Sequence, residues 1–137
     1  MQTRFAGAIS LLGLGAMMLT GSASAQDSSG DVRCLPLMRI QNTTVIDDST
    51  ILFETVNRTY YKNDLPQRCP DLKRNGKFMY RVALDQLCSL DIITVLQDVG
   101  FGFQAGAACG LGSFKSISTE QADALIASLK GEKQDAK

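Results

Sequence analysis

Three aspartates are the first candidates for chemistry in this 137-residue chain, which contains no histidine. Without imidazole, Ser-His-Asp catalysis, Cys-His catalysis and histidine-based metal sites are excluded. Asp47 and Asp48 are adjacent and Asp91 lies in an apolar run, and paired carboxylates can catalyse hydrolysis. A turn explains the adjacent pair equally well, and a buried Asp91 needs a donor such as an arginine or a backbone amide. We expect no catalytic residues and no cofactor, with a small carboxylate-dependent hydrolase or lyase as the alternative.

The four cysteines are the second group of reactive side chains. Cys34, Cys69, Cys88 and Cys109 are separated by 35, 19 and 21 residues. Zinc sites and thiol-redox sites usually contain a close Cys-x-x-Cys pair, which this chain lacks. An even number of cysteines in a small exported chain is typical of disulfides. We therefore predict two disulfides and no metal, with three pairings possible.

A basic and aromatic segment is the best candidate binding surface. The whole chain has 14 basic and 14 acidic side chains, which argues against a dedicated nucleic-acid-binding protein. Residues 58–81 nevertheless hold seven basic and two acidic side chains, a net charge of +5. Cations beside aromatic rings can bind anionic polymers, and one of two adjacent strand tyrosines should be exposed. The predicted binding residues are Arg58, Tyr60, Tyr61, Lys62, Lys73, Arg74 and Lys77.

A glycine-rich stretch surrounds the last cysteine, with five glycines between residues 100 and 112. It lacks the spacing and the following helix of a dinucleotide-binding loop. We expect a tightly turned loop in which Phe101 and Phe103 are anchored in the core. Exposure of both rings as ligand contacts is the alternative.

The N-terminal segment is typical of a secretory signal peptide. Arg4 precedes an uncharged apolar run over residues 5–19, and Ala23 and Ala25 occupy the small-residue positions before a cleavage site. The run is shorter than the roughly 20 residues that span a bilayer. We predict cleavage after Ala25, no membrane span in the mature chain, and a location in the periplasm or outside the cell.

The mature chain has the pattern of short strands followed by one helix. Phe78, Tyr80 and Val82 alternate with polar residues and predict a half-buried strand, whereas residues 87–96 suit a strand buried on both faces. Ser118 and Gln121 form a capping box before an amphipathic helix at residues 119–130. The predicted strands are residues 37–46, 50–56, 59–63, 77–82, 87–96 and 113–117, with a two-residue hairpin turn at Asn57 and Arg58.

These elements predict a mainly β fold. We expect a small antiparallel barrel or sandwich of five or six strands with a C-terminal amphipathic helix and two disulfides. The predicted organisation is a signal peptide (1–25), a disordered leader (26–33), a disulfide-bonded β domain with a C-terminal helix (34–131) and a frayed tail (132–137).

Three motifs resemble a family of small exported bacterial proteins catalogued as a domain of unknown function. They are Cys-Pro-x-Leu at residues 69–72, Leu-Cys-x-x-Asp-x-Ile at 87–93 and Cys-x-Leu-Gly-x-Phe at 109–114, and the likeness covers about residues 34–118. The resemblance implies location in the bacterial envelope and a compact disulfide-bonded β domain, with no established activity. Relatives that keep only the cysteines matching Cys69 and Cys109 imply that these two pair, which leaves Cys34 with Cys88.

The expected function combines these observations. We expect a non-catalytic exported domain that binds a partner protein or an anionic polymer of the bacterial envelope.

Overall fold

A computed structural model describes residues 30–135 of the chain. The predicted signal peptide at residues 1–25, residues 26–29 of the predicted leader and residues 136–137 lie outside the described residues. The strands are β1 (Asp31–Val32), β2 (Cys34–Pro36), β3 (Ile40–Asp47), β4 (Thr50–Thr55), β5 (Thr59–Asp64), β6 (Phe78–Tyr80), β7 (Gln86–Cys88), β8 (Ile92–Asp98), β9 (Phe103–Gly110) and β10 (Phe114–Ile117). The helices are α1 (Leu72–Asn75) and α2 (Thr119–Asp135), with short 3-10 turns at Leu37–Arg39 and Val56–Arg58.

Five strands form one antiparallel sheet in the order β1-β10-β5-β4-β3. Its inner face carries Ile51, Phe53 and Phe114, which are fully buried. The rings of Phe53 and Phe114 meet edge to face, with 5.2 Å between their centroids, an arrangement that aromatic pairs favour. The predicted pairing of the first three strands is confirmed by β3, β4 and β5.

The turn between β4 and β5 has the predicted backbone conformation and a different length. Asn57 has a φ of 70° and Arg58 a φ of 58°, and asparagine tolerates this left-handed region better than most residues. Thr55 pairs with Thr59, so the loop contains three residues where two were expected.

A second layer covers the inner face of the five-stranded sheet. It contains a three-stranded sheet in the order β6-β8-β9 and a two-stranded sheet of β2 and β7. Leu35, Leu87, Ile93 and Val95 from these strands are buried in the same core as Phe53. The fold is thus a small antiparallel sandwich, and the predicted mainly β class is confirmed. Residues 30–135 contain ten short strands where five or six were expected.

Helix α2 packs on the face of the five-stranded sheet that points away from the second layer. Ala122 is buried against Leu52 and Tyr60, and Leu125, Ile126 and Leu129 pack around them. The predicted capping box is confirmed, since the Gln121 amide donates to Ser118 Oγ at 3.2 Å and the Ser118 amide donates to Gln121 Oε1 at 3.0 Å. No helix in residues 30–135 is long and apolar enough to cross a membrane.

Two disulfides lie at separate places, one within the two-stranded sheet and one between the loop after β5 and the three-stranded sheet. Cys34 pairs with Cys88, its register partner across β2 and β7, and Cys69 in the loop after β5 pairs with Cys109 in β9. This is the pairing that the resemblance implied. Each bridge closes a long segment, 54 and 40 residues respectively, and long closures restrict the unfolded chain most.

The predicted strand at residues 87–96 is divided in the structure. β7 ends at Cys88, and Leu90 adopts a positive φ of 79° in a turn that precedes β8. Ile93 and Val95 are buried while Ile92 is exposed, so β8 is buried on one face instead of two. The strand predicted at residues 77–82 is also shorter in the structure, where β6 covers only Phe78–Tyr80. Tyr80, which the alternation placed on the buried face, is 36% exposed.

The predicted glycine-rich loop contains an eight-residue strand, β9. Glycine and alanine have low β propensity, so the local pattern gave no strand signal. Hydrogen bonding to β8 supplies the stabilisation instead. The paired region extends from Ile92 opposite Gly110 to Asp98 opposite Phe103. Tertiary pairing overrides propensity here.

Both ends of the described chain are more ordered than expected. Asp31 and Val32, assigned to a disordered leader, pair with Lys115 and Phe114 of β10. Helix α2 continues through Gly131 to Asp135, beyond the expected end at residue 130. Lys73 of the loop after β5 contacts Glu132 in this last part of the helix, with 2.8 Å between Nζ and Oε1.

Candidate functional site

The predicted basic and aromatic residues are distributed over several parts of the sandwich. Arg58 lies in the turn between β4 and β5, Lys62 lies on β5, and Lys73 and Arg74 lie in α1. Lys77 precedes β6, and its Nζ lies 4.7 Å from the centroid of the Phe103 ring. The predicted binding residues therefore do not form one continuous surface.

The positions of Tyr60 and Tyr61 contradict the prediction that one of the two rings is exposed to solvent. Tyr60 is buried under α2, and Tyr61 is half-buried against the main core. β5 is an inner strand of the five-stranded sheet, and both faces of that sheet are covered, one by the second layer and one by α2. Alternation places the rings on opposite faces as predicted, but neither face is open to solvent.

Asp48 organises the loop that carries Arg68 and Lys73. Its Oδ1 accepts the Lys73 backbone N–H at 2.9 Å, and its Oδ2 accepts hydrogen bonds from Arg68 at 2.8 and 3.2 Å. The Lys73 amide and then the Arg68 guanidinium lower the pKa of Asp48 below its usual value. The Asp48 carbonyl also accepts the Cys69 amide at 2.7 Å. This carboxylate is therefore a structural anchor of the loop.

Acidic partners reduce the charge of the basic segment. Lys73 is paired with Glu132, Arg68 with Asp48, and Arg74 Nη1 lies 3.5 Å from Asp71. Two of these acids lie outside residues 58–81, so the local excess of +5 in the sequence is partly neutralised in space. These cations still line an open cleft of about 750 Å³.

Lys62 belongs to a separate charge cluster beside α2. Asp64 lies 3.0 Å from Lys62 and 3.3 Å from Lys115. Burial alone would raise the pKa of Asp64, but hydrogen bonds and the charges of the two lysines lower it overall. The cluster borders a groove of about 600 Å³ between β10 and α2.

The other aspartates considered for catalysis have structural partners. Asp47 Oδ1 accepts the Ser49 amide at 2.7 Å, which closes the turn between β3 and β4. Asp91 Oδ2 accepts the Cys88 amide at 2.6 Å, so a backbone amide is its donor, one of the two kinds expected. Within residues 30–135 no group of three potential metal ligands is close enough to hold an ion.

The outer face of the three-stranded sheet carries several apolar side chains that are exposed or half-buried. We define the outer face as Met79, Ile92, Thr94, Leu96, Phe103, Ala105 and Ala108, which register pairs place on the side opposite the buried Ile93 and Val95. Ile92 and Phe103 are each 54% exposed. Soluble domains rarely leave such a contiguous apolar face uncovered without a binding role.

The hairpin between β8 and β9 extends this apolar surface at one end. Phe101 is 98% exposed, and it lies between Gly100 and Gly102, whose φ values are 89° and 146°. Such positive φ values favour glycine, and the Val99 amide donates to the Gly102 carbonyl at 3.1 Å to close the turn. The expected core anchoring of Phe101 and Phe103 is wrong, because the hairpin projects beyond the sandwich.

The outer face was missed because the sequence gives two incomplete signals. Ile92 and Leu96 lie in an apolar run whose alternation is hidden by the equally apolar Ile93 and Val95. The spacing of Phe101 and Phe103 by two residues was a usable signal, since strand residues two apart share a face. It was discounted because of the surrounding glycines.

Comparison of the chain with protein-family models, with curated proteins and with solved structures finds no match.

Proposed function

We propose that this protein is a non-catalytic exported module that binds a partner protein through the outer face and the adjoining Phe101 hairpin. The observation that carries the proposal is the exposure of Phe101 (98%) and Phe103 (54%) at the hairpin end of the three-stranded sheet, with Ile92 (54%) on the same face at the other end of β8. Aromatic residues, phenylalanine among them, are enriched in protein interfaces relative to the rest of the surface. Lys77 and Asp98 at the edge of the face supply polar groups for its rim.

Export rests on three observations of different kinds. The N-terminal segment has the zones of a signal peptide with cleavage after Ala25. The four cysteines form two disulfides, which persist in oxidising compartments such as the periplasm. The family resemblance adds a bacterial envelope location to the proposal. Intact mass of the protein recovered from the periplasm should correspond to residues 26–137, and a product that still begins at Met1 would contradict export.

The two alternatives draw less support from the described residues. Binding of an anionic polymer is favoured by the cleft lined by Arg68, Lys73 and Arg74, but their acidic partners weaken the attraction. Loss of retention on an anionic column in a Lys73→Ala, Arg74→Ala, Lys77→Ala variant would favour it. The hydrolase or lyase alternative would need carboxylates that are free to act, and Asp47, Asp48 and Asp91 each accept a backbone amide.

Site-specific photo-crosslinking in cells tests the proposed surface. A benzophenone amino acid at position 101 should give a covalent adduct with another protein, whereas the same group at position 38 should not. Met38 is a matched control because it is 90% exposed and lies in the 3-10 turn after β2, away from the outer face. Replacing Ile92 with Lys should remove the adduct at position 101. Equal adducts at both positions, or none at 101, would contradict the proposal.

A further inference from the structure

Strand β9 leaves one of its two edges open. It is the last strand of the β6-β8-β9 sheet, and within residues 30–135 only β8 pairs with it. β9 contains no charged residue and no proline, two of the features by which edge strands avoid pairing. A third such feature, a β-bulge, is present at Gly106 and Ala107, so the open edge can add only a strand that matches this bulge.

The backbone groups that face this open edge follow from the hydrogen bonds at the two ends of the hairpin. Leu111 donates to the Asp91 carbonyl at 2.9 Å, and Val99 donates to the Gly102 carbonyl at 3.1 Å. Antiparallel pairs alternate between bonded and non-bonded positions, so Gln104 and Cys109 point toward β8. The residues whose backbone N–H and C=O groups point toward the open edge are Phe103, Ala105, Ala108 and Gly110.

A bulge makes the open edge symmetrical. The register of β8 and β9 shifts between Thr94 and Leu96, where Gly106 and Ala107 together oppose one β8 residue. The outward-pointing residues lie at equal distances on either side of this pair. A two-fold axis between Gly106 and Ala107 consequently matches every outward-pointing residue with an outward-pointing residue of a second copy.

We infer that the occupant of this edge is a second copy of the chain, with the two β9 strands antiparallel and Phe103 opposite Gly110 of the second copy. The paired edges would exchange about eight backbone hydrogen bonds and join the two three-stranded sheets into one. The contact is isologous, the commonest symmetry of protein dimers. It goes beyond the proposed function, because it uses the backbone edge of β9 and leaves Ile92, Leu96 and Phe101 free for a different protein.

The side chains of β9 fit this arrangement. Phe103 would cover a position without a side chain, a favourable cross-strand pairing of aromatic and glycine, and Ala105 would lie opposite Ala108. The loop that carries Arg68 leaves an open cleft of about 490 Å³ beside the Gly110 end of β9, so the edge is accessible there.

Sedimentation velocity of the chain from residue 26 onward tests the inference. We expect twice the mass of one chain, and Ala108→Pro should raise the dimer dissociation constant at least tenfold because it removes an outward-pointing N–H. Phe103→Lys should do the same without changing any backbone group, and it decides the question if the proline variant fails to fold. Phe101→Lys, outside the paired strand, is the matched control and should leave the dimer intact.

Engineered cysteines test the register. Ala105→Cys together with Ala108→Cys should give a covalent dimer on a non-reducing gel, whereas either single variant should not, since position 105 faces 108 of the second copy. A monomer at all concentrations up to the highest tested, or a dimer unaffected by Ala108→Pro and Phe103→Lys, would overturn the inference. Neither result bears on the proposed function, because an adduct from position 101 with a different protein would persist in a monomeric variant.

Discussion

Replacing Asn63 with Ala tests how the sandwich is closed between β5 and β10. Asn63 is fully buried on the inner face, next to Ile51 and Phe114 in the register of the sheet. Its Nδ2 donates to the Gly112 carbonyl at 2.7 Å, and its Oδ1 accepts the Gly112 amide at 2.9 Å. One side chain therefore satisfies both backbone groups of Gly112, as a neighbouring strand would.

The expected loss is large for a single substitution. A buried backbone group left without a partner costs about 1–3 kcal/mol. Gly112 is half-buried, so water can replace part of what its two groups lose, and we expect a loss of about 2–3 kcal/mol, a substantial part of the about 5–15 kcal/mol of a typical domain. Gly112 is held closely as well, because a Cβ there would meet the Asp64 carbonyl oxygen. The surrounding chain has little room to move and recover the lost bonds.

Urea unfolding at pH 7 with intact disulfides, followed by far-ultraviolet circular dichroism, measures this loss. Asn42→Ala is the matched control: Asn42 is exposed and its Oδ1 accepts the Thr43 amide, so we expect a change below about 0.5 kcal/mol. Asn63→Asp keeps the acceptor and loses the donor, and it should become more destabilising as the pH rises, because burial disfavours the charged carboxylate. A loss below about 1 kcal/mol for Asn63→Ala would refute the reasoning.

Two further predictions concern the loop after β5 and the covalent links. The pKa of Asp48 is lowered in the folded state, so its contribution to stability should be complete above the pKa of the unfolded chain and disappear as the pH falls through the folded value; urea midpoints of the parent and Asp48→Asn should differ at pH 6 and converge toward pH 2, and a constant difference would contradict this. Replacing Cys69 and Cys109 with Ala should lower the unfolding free energy by about 4 kcal/mol in the chain-entropy model for a 40-residue closure, measured by the same unfolding assay, with an unchanged midpoint as the contrary result.

Local patterns were sufficient wherever the signal lies within a few residues. The strands predicted in residues 37–63, the turn chemistry of Asn57 and the capping box of Ser118 and Gln121 each depend on neighbours along the chain, and each is present in the structure. The pairing of the cysteines was different in kind. Spacing left three possibilities open, and the resemblance supplied the one that the structure has.

The candidate site depended on long-range packing and was therefore missed. The sequence contains the cations of residues 58–81, but not the fact that Asp48 and Glu132 come from other elements to pair with Arg68 and Lys73. It contains two adjacent tyrosines, but not the helix that covers the second face of their sheet. Whether a surface is exposed depends on which other elements pack against it. Those elements are distant in the sequence, so a local pattern does not predict the exposure.

The sequence alone thus determined the class of the fold, the terminal helix and the presence of two disulfides, because secondary-structure periods and cysteine number are properties of short segments and composition. The tertiary structure alone decided that a glycine- and alanine-rich segment becomes strand β9 and that Phe101 and Phe103 face solvent. Weak local propensity left that segment undecided, and its hydrogen bonds to β8 decided its conformation. The exposed apolar surface exists because three strands were used to cover the core on one side and nothing in the described chain covers them on the other.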